Sequence, residues 1–123
     1  MKTIFVLCAA ALIAGGAFVY QSMRMPNKYG DFSRAQPMAV ADLIARPQAY
    51  LERTVAVEGV VREQCTSMGC FFFLREGERT LRVDLQDIAM NAPRRNGHRV
   101  QVEGRMAKYG DGYQLWASAV EFK

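Results

Sequence analysis

The sequence predicts an all-β domain: a five-stranded Greek-key barrel of the OB type, with a short helix between strands three and four. Three observations carry that prediction. Five runs alternate apolar and polar residues with a period of two and are separated by turn or loop residues: Thr54–Val61, Cys70–Arg75, Thr80–Leu85, His98–Met106 and Tyr113–Phe122. The one long interruption follows the third run, where Gln86 to Asn91 favours a helix and Ala92 to Gly97 reads as loop. Finally, Val55-Ala56-Val57-Glu58-Gly59 is echoed by Val100-Gln101-Val102-Glu103-Gly104, and a glycine in mid-strand marks a bulge or a sharp coil such as a small closed barrel needs. Closure also removes the exposed strand edges that invite aggregation.

Taken in order, the chain begins with an apolar run of 17 residues, Ile4 to Tyr20, preceded by a single charge at Lys2. Residues 1–22 therefore read as a signal peptide or an N-terminal membrane anchor. Ala14-Gly15-Gly16-Ala17 supplies small residues for cleavage, while Tyr20 stands where an interfacial aromatic would hold a retained span. Either outcome exports the remainder, so the expected address is periplasmic, with possible anchoring to the inner membrane left open. Residues 23–37 mix Pro, Gly, Asn and charges without a period and read as a linker. The OB domain is expected over residues 38–123.

That domain opens on a helical pattern, with Val40, Leu43 and Ile44 on one face and Pro47 as its stop. Asp42 in its first turn and Arg46 in its last suit the helix dipole. A second helical turn, Gln48 to Glu52, is expected to carry Tyr50 and Leu51 to the barrel. Glu76-Gly77-Glu78 is a hairpin loop between strands two and three, and Lys108 to Gly112 is the turn between strands four and five.

A chain of 123 residues that is 50% apolar builds one packed domain without help from metals or several disulfides. Its net charge of +4 is spread along the chain, a weak hint of anionic partners. It falls short of the basic character of a nucleic-acid-binding domain, and nucleic acid is not expected as a partner. The expected partners are an envelope protein or a small ligand, together with the membrane through the N-terminal segment.

Two candidate sites stand out. Cys65 and Cys70 bracket the tip between strands one and two, and in an exported protein they form an even pair once Cys8 is assigned to the leader. They read either as a disulfide closing a small loop, with a gain of about 2 kcal/mol, or, with the Met68 thioether, as soft ligands for copper(I) in a thiol redox or metal-handling protein. The C-x4-C spacing lacks a second ligand pair, which argues against structural zinc. His98, the sole histidine, is at most a distant third ligand and otherwise a solvated residue.

The second site is aromatic. Alternation sends Phe72 and Leu74 to one face of strand two and Phe71 and Phe73 to the other, and Arg82 on strand three shares that outer face. OB barrels bind ligands on this face, and rings beside a cation suit stacking on one. The competing expectation is that the N-terminal helix covers these rings. Trp116 and Tyr113 read as barrel closure in preference to a second binding platform. No nucleophile with a nearby base is legible, Asp84 and Asp87 do not form a catalytic pair, and the chain reads as a non-enzyme without a cofactor.

The segment Ala41 to Phe122 carries DLIARPQAYLERTVAVEGVV, then CTSMGC, an aromatic run, RVDL and a second VEG. Over about two thirds of the chain it resembles the small exported bacterial OB-fold domains of the anticodon-binding-like group. That group name describes barrel shape and implies no RNA ligand. One departure is Phe71, where such domains often carry tryptophan after the second cysteine. The function these readings favour is an exported envelope binding or accessory module whose cysteine-bracketed loop shapes its ligand face.

Overall fold

The computed structural model describes residues 27–65, 71–88 and 93–123. In chain order its elements are β1 (Lys28–Gly30), β2 (Gln36–Pro37), α1 (Val40–Ala45), a 3₁₀ turn (Pro47–Tyr50), β3 (Val55–Arg62), β4 (Phe71–Glu76), β5 (Arg79–Asp84), β6 (Arg99–Tyr109) and β7 (Gly112–Phe122). β3 pairs antiparallel with β4 and with β6, and β4 pairs antiparallel with β5. β5 then meets β7 in a parallel ladder, and β7 returns to β6 antiparallel. The ring β3–β4–β5–β7–β6–β3 is therefore closed, with the strand order of an OB barrel.

Period-two alternation fills its interior. Val55, Val57, Val61, Phe72, Leu74, Val83, Val102 and Leu115 are all fully buried. Two glycines let the sheet coil. A Cβ on Gly59 would come within 2.5 Å of the Arg75 carbonyl oxygen on β4, and one on Gly104 would strike the Trp116 carbonyl on β7. The β6–β7 register shifts between Glu103 and Gly104, so the second glycine marks an irregularity of the ladder.

The helical cap on the core lies ahead of the barrel strands. Val40 and Leu43 of α1 are fully buried and, with Tyr50, join the barrel residues in one cluster. Ile44, expected on that buried face, is 38% exposed, and Arg46 follows the last turn rather than sitting in it. After the third barrel strand, Gln86 to Ile88 form a turn in which the Ile88 amide donates to the Leu85 carbonyl (3.1 Å). The rest of the helix expected there lies outside the described residues, as does the leader expected over residues 1–22. No helix among the described residues is long and apolar enough to cross a membrane.

The stretch 28–37, which composition reads as linker, lies against the barrel as a strap. β1 adds to β7 antiparallel, Lys28 opposite Glu121, and β2 runs parallel to β3, Gln36 opposite Val55. Between them the buried Glu103 carboxylate accepts the Ser33 amide (2.8 Å), the Ser33 hydroxyl (2.9 Å) and the Ala35 amide (3.0 Å). Arg34, at φ 58°, turns these successive amides toward one anion. Burial is the largest single influence on Glu103 and raises its pKa. The bonds from Ser33, Ala35 and the Arg34 amide together outweigh it and hold the carboxyl below its ordinary value.

Two strand limits also differ from expectation. β6 continues three residues past Met106 to Tyr109, leaving Gly110-Asp111 as a two-residue turn into β7. At the other end of the barrel strands, Glu63 takes φ 47° and interrupts the β3–β4 hairpin. The ladder passes from Arg62 opposite Phe73 to the Cys65 amide donating to the Phe71 carbonyl (2.9 Å), one residue more on the first strand than on the second.

Candidate functional site

The outer face of β4 and β5 is where the sequence places Phe71, Phe73 and Arg82, and the structure brings all three together. Register puts Phe73 opposite Arg82 and Phe71 opposite Asp84, so rings and charges share one face while Phe72 and Val83 point inward. Phe71 and Phe73 meet edge to face at 6.0 Å between centroids and remain half-buried.

Arg82 is the hub. Its guanidinium carbon lies 4.2 Å from the centre of the Phe71 ring and 4.1 Å from that of Tyr109, within cation–π range of both. Nη1 donates to Asp84 Oδ2 (3.4 Å) and to Gln114 Oε1 on β7. Asp84 and Gln114 are both buried, and the second Asp84 oxygen accepts the Gln86 amide (2.9 Å). Partners on three sides fix the orientation of the arginine, which a solvated surface arginine lacks.

These residues border a hollow of about 500 Å³, within the range of ligand pockets. Ile44 and Pro47 from the helical cap form one wall, and Tyr109 and Tyr113, flanking the β6–β7 turn, form another. The helix thus borders the rings and leaves the hollow open between them. Ile44 at 38% and Tyr109 at 52% are the exposed large apolar side chains among the described residues, and both stand at its rim. A second, more polar hollow of about 740 Å³ shares Phe73 and Thr80 with the first and continues past Arg62, Glu63, Arg75 and Glu78. The two form one groove across β4 and β5, from the β6–β7 turn to the β3–β4 loop.

Sequence alone did not point to Tyr109, Asp84, Gln114 or Ile44 as part of this site. A usable signal was present in the paired tyrosines around the turn, Tyr109 and Tyr113, since the loop between the last two strands borders the ligand face of an OB barrel. Tyr113, expected in closure ahead of a binding platform, packs partly on the core and partly lines the groove. Trp116 instead donates its indole N–H to Asp87 Oδ2 (2.6 Å) and does not line the groove.

The cysteine tip is partly visible. Cys65 is half-buried and its amide N–H, donating to the Phe71 carbonyl, places it beside the aromatic face, whereas Met68 and Cys70 lie outside the described residues. The neighbouring buried Gln64 ties the tip to the loop before β6: Nε2 donates to the Pro93 carbonyl (3.0 Å), and Oε1 accepts the Arg95 amide (2.7 Å). His98 donates from Nδ1 to the Lys123 carbonyl (2.9 Å). No group of three or more His, Cys, Asp or Glu suited to a metal ion occurs among the described residues.

No family model matches the chain, and no curated protein matches it in sequence. Solved structures do match in shape. A chain of the S. pombe Stn1–Ten1 complex aligns with TM-score 0.56 at 12% identity, over 75% of this chain and 79% of that one. The E. coli hypothetical protein ygiW aligns with TM-score 0.55 at 13% identity, over 76% of this chain and 99% of that one. A protein described as an aspartyl-tRNA synthetase from Leishmania major Friedlin aligns with TM-score 0.55 at 15% identity; the match covers 75% of this chain but 21% of the synthetase. At these identities the likeness is one of fold.

Proposed function

We propose that this chain is an OB-fold binding module of the cell envelope, exported by its N-terminal segment, with the groove over β4 and β5 as its ligand site. The observation that carries the reading is the convergence of Phe71, Phe73, Tyr109 and the fixed Arg82 on one open hollow. It lies on the face where OB barrels take oligonucleotides or oligosaccharides. Cys65 and Cys70, joined as a disulfide in an oxidising compartment, close the loop at the end of the groove and limit its conformations. Similarity to the Stn1–Ten1 complex and to a synthetase lends the chain their barrel, and the apolar leader favours an envelope role.

The test is amide chemical-shift mapping on the isotope-labelled domain against three probes: an uncharged oligosaccharide, an oligodeoxythymidine and an uncharged peptide. Whichever probe binds is expected to shift the amides of Phe71, Phe73, Arg82 and Tyr109 first. A bound probe whose shifts centre on Trp116 and Asp87 would contradict the assignment of the groove.

A further inference from the structure

We infer that the groove takes an uncharged, N-acetylated oligosaccharide, an inference that rests on the groove being the ligand site. Charge comes first. Arg82 faces Asp84, Arg62 and Arg75 share the second hollow with Glu63 and Glu78, and the β6–β7 hairpin carries Lys108 at the end of β6 with Asp111 in its turn. At each station the formal charges cancel. A single-strand nucleic-acid groove needs unopposed Lys and Arg along the backbone path, because its affinity comes from neutralising phosphates. The overall +4 of the chain is not concentrated here, and the groove suits a chain without charge.

The remaining chemistry selects among uncharged polymers. Phe71, Phe73 and Tyr109 offer ring faces and edges to apolar surface, and pyranose rings present C–H faces of matching size. Beside the rings, Arg82 keeps Nε and Nη2 without hydrogen-bond partners among the described residues, since Nη1 makes both of its side-chain hydrogen bonds. These fixed donors suit the carbonyl oxygen of an acetamido group or a sugar hydroxyl. Ile44, Pro47 and Met106 form an apolar corner of the same hollow. An acetamido methyl is buried there favourably, whereas a purely hydroxylated sugar leaves it wet. The groove continues through Phe73 and Thr80 into the second hollow, which gives room for several linked sugars.

Calorimetric titration of the full-length protein tests this with four probes: the hexasaccharides of N-acetylglucosamine and of glucose, an oligodeoxythymidine, and an uncharged peptide of similar length. The N-acetylated hexasaccharide is expected to bind about tenfold tighter than the glucose one. Its affinity is expected to hold between about 50 and about 200 mM salt, where phosphate-driven binding falls steeply. Tyr109→Ala and Phe71→Ala should each weaken it about tenfold, with Glu58→Ala unchanged, and Ile44→Ala should erase the preference for the acetylated sugar. Tyr109 is exposed, so its variant tests binding without disturbing the core. Binding of neither saccharide would overturn the inference. So would salt-sensitive thymidine binding or peptide binding; if Tyr109→Ala weakens that binding, the groove stands as the ligand site and only the ligand class is wrong. Saccharide binding untouched by Tyr109→Ala and Phe71→Ala would instead overturn the groove itself.

Discussion

The guanidinium of Arg82 on β5 stands 4.1 Å from the centre of the Tyr109 ring on β6, with β7 between their strands. The contact exists because β7 supplies Gln114 beneath the arginine while β6 runs on far enough to bring Tyr109 over it. Two substitutions separate structure from surface here. Arg82→Ala leaves Asp84 and Gln114 buried without their cation, and urea unfolding is expected to show a loss of about 3 kcal/mol. Tyr109→Ala removes one exposed cation–π partner and should cost no more than about 1 kcal/mol.

The glycine in β3 gives a test of barrel closure. A side chain at Gly59 meets the Arg75 carbonyl and the Leu74 side chain, so Gly59→Val is expected to destabilise by more than the ~1 kcal/mol span of strand propensities. Glu58→Val, at an exposed position of the same strand, should stay within about 0.5 kcal/mol of wild type. Equal melting temperatures for the two variants would argue against the close β3–β4 approach.

Glu103 makes the strap sensitive to acid. Its carboxyl is held below the ordinary value in the folded protein, so the folded state favours the ionised form. The resulting stability is fully present above the unfolded glutamate value of about 4.3 and is lost as pH falls through the lower folded value. Glu103→Gln keeps the size but removes the charge from three hydrogen bonds. It is expected to cost about 2 kcal/mol at neutral pH and to flatten that acid limb of the stability curve. Hydrogen exchange should then rise first at Ser33 and Ala35, ahead of the barrel strands.

The cysteine tip is tested by thiol counting on protein purified without reductant from the compartment proposed for it. A Cys65–Cys70 disulfide predicts that neither residue reacts until a reductant is added, and that Cys65→Ala/Cys70→Ala lowers stability by about 2 kcal/mol while leaving ligand binding in place. Tight copper(I) binding by the reduced protein, lost in the double variant, would favour the metal-handling alternative.

The barrel was legible because its signals are local. Alternation in Val55–Val61 and Phe71–Leu74 assigns faces without knowledge of neighbours, and the hairpin loop at Gly77 fixes the register that sets Phe73 opposite Arg82. The rest of the groove depends on contacts that no local pattern encodes. Gln114 reaches Arg82 through the parallel β5–β7 pairing, and Ile44 reaches the rings because α1 turns only Val40 and Leu43 into the core. Residues 28–37 read as linker because their composition is polar. They are held by backbone amides closing on one carboxylate, Glu103, which looked like an ordinary outward residue of an alternating strand.

The central claim, that ligand lies over Phe71, Phe73 and Tyr109 beside Arg82, is tested most directly by intermolecular nuclear Overhauser effects between bound N-acetylglucosamine hexasaccharide and the aromatic protons of the labelled protein. The account predicts cross-peaks from the sugar ring protons to Phe71, Phe73 or Tyr109, and from the acetamido methyl to Ile44 or Met106. Cross-peaks confined to Trp116, which does not line the groove, would contradict it.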